Sequence, residues 1–387
     1  MRRHVIWAIG CGQLVNWGVM YFAFGVMLVP LEQYLNEPRW LVAGAFSLSL
    51  LVSAFAAPAV GRLADRGQGP AVMQAGGLIA SALLIGWAAW PSLWSTYLVW
   101  ALLGLCGAAI LYEPVFAIVG RAFSDPAGRM RAIATVTVMG GLASSVFLPG
   151  TAALTDHLGW RGAVIAIGVL IALTTLVVWR IAFSDLVWST QTIRDAILSE
   201  AEDGSTATLP HLHRFAAVFA VSAIVNSAVA SNMVAALIDG SFAPTLAASI
   251  AGLFGVMQLP GRMLMTTPSF TPMPVRLILV SFAFQVVGLV ALMVHSTASL
   301  VAGVILFAIG AGLTTLARPY WVLQTYGPGR AGRANGVIAR AQQIARAAGP
   351  VSAAAAAGLT GYPVVFGALA LLLTLVMLGL GGASTKR

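Results

Sequence analysis

The chain opens Met1-Arg2-Arg3-His4 and then runs apolar as far as Pro30. A cleavable leader has an apolar core of only roughly 7–15 residues. This run is too long for that and predicts an uncleaved helix that spans a membrane. The same pattern recurs along the chain, with long apolar stretches parted by short segments bearing single charges. Only 9% of the residues are charged and 59% are hydrophobic, with a mean hydropathy of +0.91. Soluble domains carry about 25% charged residues, so an ordinary globular protein is excluded. Disorder is excluded as well, since it needs low hydrophobicity and high charge density. The 41 glycines and 18 prolines show no triplet period, which rules out a collagen-like fibre.

A helix crossing a bilayer needs about 20 apolar residues. The stretches predict helices over 5–30, 41–61, 71–90, 94–121, 130–155 and 160–181. A polar stretch follows, and then helices over 214–238, 244–262, 275–294, 298–321, 334–358 and 362–381. The expected fold class is therefore an all-α membrane protein, with twelve transmembrane helices in two pseudo-symmetric six-helix bundles. The expected domains are an N-terminal bundle over 1–183, a cytoplasmic linker over 184–213 and a C-terminal bundle over 214–387. Within the acidic linker, Thr190 to Leu198 could form a short surface helix.

The formal net charge is +9. In a soluble protein that would point to nucleic acid, but here the basic residues are scattered singly between apolar runs. With the N-terminus in the cytoplasm, 16 of the 21 basic residues fall in cytoplasmic segments and only Arg39 and Arg161 in outer loops. That asymmetry is the positive-inside signature, and it predicts a multi-pass protein of the cell inner membrane with both termini cytoplasmic. Cys11 and Cys106 both lie in apolar runs, and the pair offers neither a disulfide framework nor metal spacing. No histidine sits mid-helix beside a carboxylate, and no phosphate-binding loop is present. An enzyme, an ATP-driven pump, a bound metal and a cofactor are not expected.

The halves repeat weakly. Glu113-Pro114 and Arg318-Pro319 stand 205 residues apart, late in the fourth and tenth helices. Gly128-Arg129 and Gly332-Arg333 stand 204 apart, at the entries to the fifth and eleventh. Repeats of this kind place a substrate site near the bilayer midplane.

The loop between the second and third helices reads Gly61-Arg62-Leu63-Ala64-Asp65-Arg66-Gly67-Gln68-Gly69-Pro70. Its glycines permit a tight turn, and Asp65 can bond helix N-terminal amides or Arg121. On Gly61, Leu63, Ala64, Asp65 and Arg66 the loop resembles the major facilitator superfamily of secondary transporters. It departs from that pattern in the placing of the late glycine and in lacking the final basic residue. The resemblance implies the major facilitator fold, alternating access, and a gating latch formed by Gly61, Asp65, Arg66 and Arg121. Asn16-Trp17-Gly18 with Tyr21-Phe22, and Arg129 to Ala134 followed by Gly140-Gly141, are similar to bacterial members resembling monocarboxylate porters. The acidic residue those porters carry in the first helix has no counterpart here, and Val136 stands where they favour glycine.

Charges inside spans are costly and usually face a cavity or a partner. At 1.5 Å per residue, Glu113 and Arg318 lie about 12 Å into the membrane, Arg340 about 10 Å and Arg346 near the midplane. Glu113 is expected to pair with an arginine and is the candidate proton carrier. Arg346 has no acid at its depth, and a guanidinium so placed calls for an anion. Asn335, Gln342 and Arg346 form a polar stripe on the eleventh helix, with Gln343 adjacent. Gln13, Asn16, Trp17 and Tyr21 of the first helix and Asn226 of the seventh complete the candidate substrate set with Arg318 and Arg340; the competing role for the amides is helix-to-helix bonding.

The expected function is secondary transport of a small organic anion, monocarboxylate-like, with proton coupling as one option. The expected partners are that substrate, protons and the lipid bilayer, with no nucleic acid, and the expected state is a monomer. Efflux of drugs or metabolites is the alternative, prompted by 11 tryptophans and 13 methionines. A non-transporting sensor or scaffold is the third reading.

Overall fold

The computed structural model describes residues 3–122, 126–183, 211–264, 273–294, 296–326 and 328–384. The described residues are overwhelmingly helical, as a chain in lipid must be when every backbone amide needs an internal partner. The first span comprises α1 (Arg3–Trp17), a π-helical turn (Gly18–Phe22) and α2 (Ala23–Leu35). Gly18 lies so close to Phe147 that a Cβ there would fall 2.1 Å from the ring. Then come α3 (Arg39–Leu63), α4 (Gly69–Ala89), α5 (Leu93–Ile110), α6 (Tyr112–Ala122), α7 (Pro126–Gly141) and α8 (Ala143–Val178). After the linker come α9 (Leu212–Asp239), α10 (Pro244–Leu264), α11 (Pro274–Leu292), α12 (Thr297–Tyr326), α13 (Pro328–Thr360) and α14 (Tyr362–Ser384).

Among the described residues, nine helical stretches are long and apolar enough to cross a membrane. One of these, 132–182, holds 51 residues and is divided by Gly159, at φ 68° and ψ 166°. Pro244–Pro260 is a shorter apolar helix. The helix α13 has ample length but carries four arginines. With the Gly159 break and these two helices counted, the described helices are consistent with twelve crossings.

The breaks have local causes. Asn36 closes α2 in the left-handed conformation at φ 51°, one that asparagine tolerates. Ser92 opens α5 with a reciprocal bond to Ser95, which satisfies free amides of the first turn. Pro30 does not end the first span as the apolar run suggested. It deletes a single backbone bond, and the helix continues through it to Leu35.

The chain divides into two compact units: 1–37 with 48–207, and 38–47 with 208–387. Residues 38–47, expected in the N-terminal bundle, group with the second unit, so α3 contributes to both. The linker expected over 184–213, with its short helix, lies outside the described residues up to 210. In the first unit α4 packs along α8 and α5, and α1 along α7. One core there gathers Val5, Ile9, Val115, Val119, Val136 and Val178. In the second unit α9 packs along α13, and α11 along α12 and α14.

The outer faces are apolar. Along α14, Leu371, Leu375 and Leu378 are 60%, 57% and 68% exposed. Such a stripe would be an aggregation hazard in water and is ordinary where the solvent is lipid.

Candidate functional site

In the first unit the site residues gather around a broken helix. Pro114 has no N–H, so the carbonyl four residues earlier, that of Ile110, has no helical donor. The chain breaks there, with Leu111 extended at φ −80° and ψ −153° between α5 and α6. Two amides from the first span repair the loss. Gln13 Nε2 donates to the Ile110 carbonyl at 2.7 Å and Asn16 Nδ2 donates at 3.0 Å. Gln13 is fully buried and Asn16 nearly so. The sequence placed both amides in the substrate set; each spends one of its two N–H donors on this backbone carbonyl, and Gln13 Oε1 is buried without a hydrogen-bond partner among the described residues.

One residue on, Trp17 begins an aromatic cluster. Its ring centroid lies 5.8 Å from Tyr21 and 4.9 Å from Tyr112, and Tyr112 stacks on Phe116 at 5.1 Å. The Trp17 Nε1–H is buried and has no hydrogen-bond acceptor among the described residues. Gly140 lets both rings approach the backbone: a Cβ there would sit 2.3 Å from the Tyr112 hydroxyl. Glu113 belongs to α6, beside the break; its side chain lies outside the described residues.

The second unit repeats the device. Pro350 leaves the Arg346 carbonyl without its helical donor, and the Ser227 hydroxyl of α9 donates to it at 2.8 Å. The Pro350 carbonyl in turn accepts from Asn232 Nδ2 at 3.3 Å. The close approach is made possible by Gly349, where a Cβ would lie 2.0 Å from Ser227 Oγ. On the same helix, Gln342 Oε1 accepts a hydrogen bond from Arg318 Nη1 of α12. Arg346 lies one helical turn further along and is partly exposed. Its guanidinium makes no hydrogen bond or ion pair with another described residue. Gln343 is also partly exposed, and Arg340 is exposed.

Asn226, half-buried on α9, donates to the Ser222 carbonyl at 2.8 Å and to Gln285 Oε1 at 3.2 Å. Gln285 Nε2 donates to Thr314 Oγ1 at 2.8 Å. Sequence reading missed Gln285, Thr314 and Ser227. Gln285 offered a signal, as a lone amide in an apolar run.

The expected latch is only partly described. Gly61 has open space around it and Arg66 is exposed, while the side chains of Asp65 and Arg121 lie outside the described residues. The turn itself is made by Gly67, at φ 84° and ψ 0°, in the left-handed region that glycine enters freely. In the second unit, Arg39 makes a bidentate ion pair with Asp239, at 2.7 and 3.2 Å. Its guanidinium carbon lies 5.9 Å from the centre of the Tyr362 ring. Among the described residues no three His, Cys, Asp or Glu side chains cluster as a metal site.

The described helices, with their proline breaks and charges inside apolar stretches, define a multi-pass membrane protein. The family description "Major Facilitator Superfamily" matches residues 9–200. Over 149 residues the chain is 33% identical to monocarboxylate transporter 13 of Bos taurus, covering 38% of this chain and 34% of that protein. Over 165 residues it is 27% identical to monocarboxylate transporter 11 of Mus musculus, covering 42% and 36%. The chain thus spans about a third of the length of these curated relatives.

Among solved structures, a bacterial homolog of the human lysosomal transporter Spinster superposes with a TM-score of 0.78 at 14% identity, over 100% of this chain and 97% of that one. The nucleoside transporter NupG gives 0.74 at 13% identity, over 98% of each chain. These likenesses show a shared fold. The chain belongs to the major facilitator superfamily of transporters and is not an enzyme.

Proposed function

We propose that the protein is a secondary transporter of a small organic anion, of monocarboxylate type, working by alternating access in the cell inner membrane with both termini cytoplasmic. The observation that carries the reading is Arg346. Its carbonyl is held by Ser227, while its guanidinium has no partner among the described residues. A guanidinium so placed favours an oxyanion, which it can grip with two parallel N–H donors. Arg318, steadied by Gln342, adds a second positive charge in the same unit. The two relatives named as monocarboxylate transporters support the same substrate class. Gln343, Asn226, Trp17 and Tyr21 remain candidates for shaping the site, and Arg340 for drawing the anion in. Glu113 is the candidate proton carrier, and Gly61, Asp65, Arg66 and Arg121 the candidate gate. The protein is proposed to act as a monomer.

The test is uptake of radiolabelled lactate and pyruvate into proteoliposomes, with and without an imposed pH gradient. Uptake is expected with the unaltered protein, to be abolished by Arg346→Ala and partly kept by Arg346→Lys. Normal uptake by a folded Arg346→Ala protein would remove Arg346 from the site.

A further inference from the structure

One end of the first unit is crowded with aromatic side chains. Tyr34, near the end of α2, lies 5.1 Å from Trp160 between ring centroids, and Trp160 lies 5.8 Å from Trp87 of α4. Trp87 Nε1 donates to Thr96 Oγ1 at 3.2 Å, which brings the start of α5 to the same end. Beyond this packed group Trp90 and Trp94 are 84% and 85% exposed and Leu158 is 57% exposed. Tryptophan displayed at helix ends marks the boundary between lipid and water.

Arg161 lies on this platform, just past the Gly159 kink. Its guanidinium carbon is 4.8 Å from the Tyr34 ring centre and 5.6 Å from that of Trp160, and its Nη2 donates to the Tyr34 hydroxyl. Two aromatic faces thus hold an exposed guanidinium in place. Arg39 and Arg161 are the two basic residues that the sequence assigns to outer loops. Arg39 is neutralised by Asp239, whereas among the described residues Arg161 meets the Tyr34 and Trp160 rings and the Tyr34 hydroxyl. A guanidinium has five N–H donors, and among the described residues the Tyr34 hydroxyl occupies one.

A planar fork with donors to spare, at the lipid boundary, matches a phosphodiester. Glu32 on α2 and Asp156 before the kink put carboxylates at the same end of the unit. They disfavour a head group with net negative charge and suit one that carries its own ammonium. We propose that Arg161, backed by Tyr34 and Trp160, binds the phosphodiester of a zwitterionic phospholipid, with exposed Leu158 against its acyl chain. This site does not depend on the transport reading.

Native mass spectrometry of the purified full chain tests it. The probes are dioleoyl phosphatidylethanolamine, dioleoyl phosphatidylglycerol and inorganic phosphate. Retention of the ethanolamine lipid is expected to fall about tenfold in Arg161→Ala, the loss of roughly one charge-assisted contact. Arg161→Lys, which keeps the charge without the planar fork, is expected to fall between the two. Unchanged retention in Arg161→Ala overturns the site. Equal or better retention of the glycerol lipid overturns the choice of head group. Displacement of the lipid by millimolar inorganic phosphate overturns the lipid in favour of a free anion.

Discussion

The Ser227 hydroxyl and the Arg346 carbonyl are 2.8 Å apart, and the bond replaces the one that Pro350 deletes four residues further along α13. The residue carrying the proposed anion contact is therefore held by its backbone, from another helix, while its guanidinium has no partner among the described residues. Ser227→Ala should leave a part-buried carbonyl without a protein donor and cost about 1 kcal/mol. Pro350→Ala restores an N–H at that position. The double variant should therefore melt above Ser227→Ala, and a cycle of melting temperatures over the two singles and the double measures the coupling. Additive losses would show that the hydroxyl is not serving this carbonyl.

The glycine beside that bond is a contact point. At Gly349 a Cβ would meet Ser227 Oγ at 2.0 Å and, less avoidably, the Ile224 carbonyl at 2.6 Å and the Ala228 amide at 2.7 Å. Two of these are backbone atoms, so Gly349→Ala must push α13 off α9. A loss of about 3 kcal/mol or more is expected, at the upper end of overpacking effects. Gly358→Ala is the control, since a Cβ there meets nothing within 4 Å, and helix propensity predicts no loss or a gain of up to about 1 kcal/mol. Melting temperatures of the two purified variants decide it.

Two amides share the Ile110 carbonyl, so each should partly cover for the other. Gln13→Leu or Asn16→Leu alone should be mild, and the pair together should cost more than the sum of the singles. If either side chain instead holds substrate, the single variant should raise the apparent KM without lowering the melting temperature. Measuring both quantities on each variant separates the two roles.

The ion pair of Arg39 with Asp239 leaves Asp239 46% exposed and Arg39 18% exposed. Charge pairs this open to solvent are worth about 0–1 kcal/mol. Asp239→Asn should lower stability by no more than that, and the difference from the unaltered protein should shrink as salt rises. A large loss that persists in high salt would mean that the pair is desolvated in the protein at work.

The apolar helices were legible because apolar run length is the strongest signal a membrane chain carries. The ends were less so: Pro30 looked like a stop, yet α2 runs past it. The π-helical turn at 18–22 left no mark in the apolar pattern, and neither did the close approach of Phe147 to Gly18 from far along the chain. The candidate amides were correctly singled out as polar residues in spans, but their partner was not. Ile110 is 97 residues from Gln13, and nothing in the sequence of α1 points to it. The clue lay in Pro114, which announces an orphaned carbonyl four residues back. Pro350 announces another at Arg346, answered by Ser227, 119 residues away. In a membrane helix a proline thus says which carbonyl needs help, and only the fold says which side chain supplies it.

Residues 38–47 are synthesised early but pack with the unit completed by residues 208–387. Arg39 and Asp239 are separated by 200 residues of chain. At a translation rate of about 5–20 residues per second, the first turns of α3 wait roughly 10–40 s for their partners. A break at the linker would leave the later fragment without those turns, and the earlier one with a helix start that has nothing to pack on. Fragments meant for reassembly should therefore be joined in one cell, or the later one should be supplied with residues 38–47.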